Sequence, residues 1–128
     1  MHKTIWMLAL ALCTAGLTAH AQTTHVVQIM VGGEQNLDAC GGFGEVQGMN
    51  PQGDNFLAVR SGPGSKFTKI DELHERDQLW LCDKRGRWVG IVYGKNCGVS
   101  SPIAIRQIYE GPCKSGWVFD KYVKLIAG

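Results

Sequence analysis

Phe56-Leu57-Ala58-Val59-Arg60-Ser61-Gly62-Pro63-Gly64-Ser65-Lys66-Phe67 is the stretch on which the fold turns. It opens as a short apolar run towards Arg60 and then breaks on Ser-Gly-Pro-Gly. Pro63 fixes its own φ and offers no N–H, while Gly62 and Gly64 can take positive φ at little cost. A strand therefore feeds directly into a tight, shaped loop. Phe67 and Ile70 restart the apolar pattern beyond it.

Upstream, Met1-His2-Lys3 is a short basic start, and Ile5 to Leu17 is an uncharged, mostly apolar run. Ala19-His20-Ala21, ahead of Gln22, has the small-x-small form of a cleavage site. Residues 1–21 read as a secretory signal peptide, which places the mature chain in the periplasm or outside the cell. Leu12 before Cys13 argues against a lipid-modified cysteine. No second long apolar run follows, so no transmembrane segment is expected after signal removal.

Lys3 is the only charged residue in that leader. Its loss leaves one fewer than the 13 basic side chains against 11 acidic ones, a net of +1. Charge so balanced and unclustered excludes a nucleic-acid footprint, and it is not acidic enough for disorder. Frequent glycines and short apolar runs between turn residues read as a small all-β domain.

Four cysteines remain: Cys40, Cys82, Cys97 and Cys113. An even number in an exported chain of this size reads as two disulfides, with three pairings open. The spacing lacks a C-x-x-C pair, so neither metal nor cofactor is expected. His25 and His74 bring no nucleophile–base motif, and no catalytic residue is assigned.

Taken in order, His25 to Val31 is β-branched and reads as a first strand, ended by Gly32-Gly33. Glu34 to Gly44 is polar and Gly-rich, hence a loop. Its Gly41-Gly42-Phe43-Gly44 lacks the Lys-Ser/Thr pair of a phosphate loop. Glu45 to Met49 is a short strand, and Asn50 to Asp54 a turn. Lys69 to His74 leads into the polar turn Glu75-Arg76-Asp77. In Leu79-Trp80-Leu81-Cys82 the two leucines share one face, Trp80 and Cys82 the other. A hairpin turn is expected at Lys84-Arg85-Gly86. Val89, Ile91 and Tyr93 then share a face opposite Trp88 and Val92. Lys95 to Ser115 is a long connection. Gly116 to Phe119 is a strand, Asp120-Lys121-Tyr122 a single helical turn, and Val123 to Ile126 the closing strand. No stretch keeps a helical period.

Leu57 to Gly64, then Ile70 and Leu73, Asp77, Gly86-Arg87-Trp88-Val89, Gly116-Trp117-Val118 and Tyr122-Val123 together resemble the bacterial SH3 (SH3b) family. The resemblance implies a small, five-stranded SH3-like barrel over residues 55–128, with an insertion at 94–115. Residues 22–54 are then an N-terminal strand-and-loop addition. It also implies an extracytoplasmic, non-enzymatic, monomeric module that binds peptidoglycan or a cell-envelope protein. The runner-up is an inhibitor or immunity protein that blocks a secreted toxin or wall hydrolase.

On that template Cys97 and Cys113 sit at the two ends of the expanded late connection and are expected to staple it, which leaves Cys40 to Cys82. The staple would present Ile103, Ile105, Arg106, Ile108 and Tyr109 as an interface, or fold its isoleucines back as a satellite core. Trp80, Trp88, Trp117, Phe67 and Tyr122 are candidates to line an aromatic groove beside the first loop. Trp117 is more readily structural than the others. The candidate ligand residues are thus Phe67, Trp80, Trp88, Arg106, Tyr109 and Tyr122.

Overall fold

The structure, a computed structural model, describes residues 9–17 and 25–128. The expected cleavage residues Ala19, Ala21 and Gln22 lie outside the described residues. Residues 9–17 form no regular element, and Leu10, Leu12 and Leu17 are exposed there. No helix among the described residues is long and apolar enough to cross a membrane.

Among the described residues the chain is all-β apart from one 3-10 turn. Its strands are β1 (Met30–Val31), β2 (Gly42–Val46), β3 (Leu57–Arg60), β4 (Lys69–Leu73), β5 (Gln78–Arg85), β6 (Trp88–Tyr93), β7 (Gln107–Ile108), β8 (Lys114–Phe119) and β9 (Val123–Ala127). The 3-10 turn, Asp120–Tyr122, joins β8 to β9. Seven strands form one antiparallel sheet in the order β4-β3-β8-β6-β5-β2-β9, and β1 pairs with β7 in a second, two-stranded sheet. The main sheet thus has more strands than the expected five, and it does not close on itself.

Alternation decides which side each residue faces. Val89, Ile91 and Tyr93 of β6 enter a first core with Val46, Leu57, Val59, Leu73, Leu79 and Val118. Val92 and Trp117 face a second core, against which Trp80, Cys82 and Trp88 pack. The faces read from β5 and β6 are those observed. Both disulfides form as expected, Cys40–Cys82 and Cys97–Cys113.

The second core explains the chain's two additions. It is built from Ile29 and Val31 of the N-terminal segment, Ala39 and Cys40 of the following loop, and Cys97 and Val99 of the late connection. These segments cover the sheet face that carries Trp117. The Trp117 indole N–H donates to the Val27 carbonyl at 2.8 Å, satisfying a fully buried polar group. Asp83, whose side chain is 8% exposed, ties the covering layer to the sheet. It accepts the Met30 N–H at 3.2 Å and the Lys84 N–H at 2.8 Å, and Arg106 Nη2 lies 3.6 Å away. A carboxylate that far from water needs such partners. Gly90 makes room for it: a Cβ there would meet Asp83 Cβ at 2.7 Å and Ile29 Cδ1 at 2.9 Å.

Three local expectations change. Only Met30–Val31 of the first expected strand joins a ladder. Residues 25–28 instead bond to a loop and to β8, through Val27 N–H to Ser61 O and the Trp117 contact, and Ile29 O accepts the Tyr109 N–H at 2.8 Å. Gly32 and Gly33 do end it, with φ of 77° and 112°. The expected loop 34–44 gives way to a strand at Gly42, because β2 lies between β5 and β9 inside the main sheet. Its glycines mark close packing: a Cβ on Gly42 would sit 2.9 Å from Leu125 Cδ1, and one on Gly44 3.0 Å from Leu81 Cδ1. Finally, Lys84 and Arg85 finish β5, so the hairpin turn is Gly86-Arg87. A two-residue turn matches the twist of its strands, and Gly86 takes φ 59° at its first position.

Candidate functional site

The signature loop is braced from inside. Phe67 lies flat on Gly62, whose missing side chain leaves the ring its place: a Cβ there would fall 2.2 Å from the ring carbons. Arg60 Nη1 donates to Phe67 O at 2.9 Å, and Ser61 N donates to Thr68 O at 2.9 Å. Ser61 is buried and its Oγ donates to His25 O at 3.1 Å, so the N-terminal segment also holds the loop. Phe67 is thereby occupied in shaping it, while Arg60 is tied to it through Nη1 and also lines the neighbouring cleft.

Beside the loop lies a cleft of about 670 Å³ whose walls include Phe56, Arg60, Lys69, Tyr122, Asn50 and Asp54. Several elements position these groups. The 3-10 turn presents Tyr122, whose ring packs partly against the first core while its carbonyl accepts the Gln47 N–H at 2.9 Å. Lys69 Nζ stands 4.6 Å from the Phe56 ring centroid and pairs with Glu72. The opposite wall is held by Glu75, which accepts Gly48 N–H at 3.1 Å and Met49 N–H at 3.0 Å. Two aromatic rings, two cations and short polar side chains therefore surround one concavity. This set can stack on a flat apolar face and hydrogen-bond around it.

The other sequence candidates do not join that cleft. Trp80 packs on Phe43 with ring centroids 4.8 Å apart, and Trp88 on Phe119 at 5.6 Å edge-to-face. Both lie towards the second core. Tyr109 braces the stapled connection: its hydroxyl donates to Cys97 O at 2.9 Å and accepts the Cys113 N–H at 3.2 Å. Arg106 leans on Asp83. The connection divides its residues between the two readings open in the sequence. Ile103 and Tyr109 pack on the second core, while Ile105 is 76% exposed and Ile108 faces outward beside exposed Arg106. Sequence reading missed Phe56 and Lys69 as cleft residues. Phe56 begins the signature stretch, and its aromatic character was the only available signal. Nothing marked Lys69 or Asp83, whose roles depend on cross-strand neighbours.

A polar cluster lies at the far end of the first core. Tyr93 donates to Asp71 Oδ2 at 2.8 Å, and Lys114 Nζ stands 3.3 Å from the same oxygen. The Glu72 backbone N–H, then the Tyr93 hydroxyl and Lys114, hold the Asp71 carboxyl below its ordinary range. Burial first, and then the Asp71 carboxylate, push the Tyr93 phenol up. The Arg87 guanidinium likewise holds the Asp120 carboxyl down and ties the hairpin turn to the 3-10 turn. Among the described residues no group of three or more His, Cys, Asp or Glu side chains is placed to hold a metal.

Compared with protein-family models, curated proteins and solved structures, the chain matches none.

Proposed function

We propose that the chain is a non-enzymatic recognition module of the cell envelope, an SH3b-like fold whose ligand is peptidoglycan. The observation that carries this reading is the aromatic cleft formed by Phe56 and Tyr122 between the turn 49–54 and the β3 and β4 residues Arg60 and Lys69. Sugar rings present flat apolar faces edged with hydroxyls, and stem peptides add carboxylates that Arg60 and Lys69 would meet.

The fold part of the proposal rests on strand order. β9-β2-β5-β6-β8 are consecutive neighbours, and a 3-10 turn joins β8 to β9. That arrangement suits an SH3-like barrel left open, with β3–β4 extending it beyond β8 and the N-terminal and late segments laid over one face. Two disulfides fit an oxidising compartment and support the reading of residues 1–21 as an export signal. The inhibitor reading keeps only the exposed Ile105-Arg106 tip of the stapled connection in its favour.

The test is co-sedimentation with purified sacculi. Retention of the mature chain is expected, falling about tenfold in affinity for Tyr122→Ala and for Phe56→Ala. Absence of retention, or retention indifferent to both substitutions, overturns the proposal.

A further inference from the structure

The β5–β6 hairpin ends in Lys84-Arg85-Gly86-Arg87, and all of these residues are exposed. The 3-10 turn adds a further cation, Lys121. The Asp120 N–H donates to Arg87 O at 2.9 Å and so seats that turn against the hairpin. A chain whose charges nearly balance therefore gathers Lys84, Arg85, Arg87 and Lys121 at one end of its sheet.

The carboxylates at this end are already engaged. Asp83, 8% exposed in its side chain, accepts the Met30 and Lys84 N–H groups. Asp120 pairs with Arg87 at 2.7 Å. Lys84, Arg85 and Lys121 have no carboxylate within ion-pair reach among the described residues. Arg106 lies apart: it faces Asp83 and packs beside Gly33, next to Glu34. Asp38 and the terminal Gly128 lie by Trp80, and Glu45 lies opposite Gln78. Trp80 and Gln78 precede Arg85 on β5, roughly 16 and 23 Å away along an extended strand. Both spans exceed the roughly 8 Å over which exposed charges act at physiological salt. Asp54 shares the Tyr122 cleft with Arg60 and Lys69.

Aromatic rings back the tip. Arg85, Trp88 and Phe119 stand opposite one another across β5, β6 and β8. Trp88 and Phe119 meet edge-on at 5.6 Å, and both are partly exposed. Arg87 lies over Phe119 at 4.9 Å, and Arg85 over Trp117 at 5.6 Å. Guanidinium groups beside a half-exposed indole suit a surface that is charged above and apolar below. The tip is also convex, since a Cβ on Gly86 would meet nothing within 4 Å. A plane can approach a convex tip, whereas a free phosphate or a sugar ring is better held in a concavity.

We infer that the β5–β6 tip docks this protein on a membrane surface rich in anionic phospholipid. Lys84, Arg85 and Lys121 meet the headgroup phosphates, and Trp88 sits at headgroup level. Trp88, which the Phe56–Tyr122 cleft leaves unused, thereby gains a role. The surface is separate from that cleft and does not depend on its ligand.

The test is flotation of the mature chain with vesicles of phosphatidylcholine, alone or mixed equally with phosphatidylglycerol. Binding to the mixed vesicles is expected, weakening as salt rises, and at least about tenfold weaker on phosphatidylcholine alone. Lys84→Gln is expected to weaken it about fivefold without changing thermal melting, and Lys84→Gln with Arg85→Gln about twenty-fivefold. Tryptophan emission should shift to the blue on the mixed vesicles, and Trp88→Phe should remove that shift. No flotation at low salt, equal flotation with phosphatidylcholine alone, or variants that float like the parent chain would overturn the inference. So would full release by inorganic polyphosphate at equal phosphate, which would show recognition of a free phosphate chain. An emission shift that survives Trp88→Phe would put another face on the membrane and overturn it too.

Discussion

Gly62 and Phe67 act as one unit, because the ring occupies the space that any side chain at 62 would need. Gly62→Ala is expected to cost about 1–3 kcal/mol in urea unfolding, and Phe67→Ala in the same chain should recover part of that loss. Tyr93 and Asp71 are similarly coupled, and here pH is the probe. Asp71 titrates below its ordinary value of 3.8 in the folded chain. Its contribution is therefore present above that value and is lost as pH falls through the lower folded one. Tyr93 is raised above its ordinary 10.0, so its contribution is complete below that pH and declines as pH rises beyond it. Tyr93→Phe removes one of the donors to Asp71. The Asp71 carboxyl should then titrate at higher pH by NMR, and the alkaline loss should shrink. Of these pairs only the glycine-rich break was legible in the chain. The ring that fills it lies five residues on in the same loop, but its place on Gly62, like the phenol that reaches Asp71 from another strand, is set only by the folded chain.

At the level of elements, the stapled connection shows how an insertion becomes structure. Cys97–Cys113 closes it, and Tyr109 bridges both ends through one hydroxyl. Replacing both cysteines by Ser is expected to cost about 3 kcal/mol, and replacing Cys40 and Cys82 about 4 kcal/mol, because the second bridge closes the longer loop. Tyr109→Phe should cost about 1–2 kcal/mol by leaving a partly buried carbonyl and N–H without their partner. Guanidinium titrations of the three variants check the order. Strands β5 and β6 could be read with their faces because strict alternation survives in them. β2 could not, since two of its five residues are glycines that carry no pattern. The N-terminal segment was readable as extended but not as a strap, because its partners are Ser61, the Trp117 indole and the Tyr109 N–H, all distant in sequence.

For the molecule as a whole, two cores share one sheet. β6 contributes to both, and Trp117 and Val118 are consecutive residues buried on opposite sides. The cores are therefore expected to melt together, with fluorescence and far-UV circular dichroism transitions that coincide. Trp117→Phe keeps much of the packing but leaves the Val27 carbonyl without its donor, at a cost of about 1–3 kcal/mol. Separate transitions would show that the covering layer is an independent unit. From the chain alone one could state the all-β class, the signature loop, the faces of the central hairpin and the number of disulfides. Each of these depends on local chemistry: ring constraint, period-two alternation, cysteine parity. Three things required the folded chain: the seven-strand order, the second core, and the scattering of the expected aromatic groove into separate contacts. They depend on which distant segments meet, and alternation places a side chain on a face without naming what will cover it.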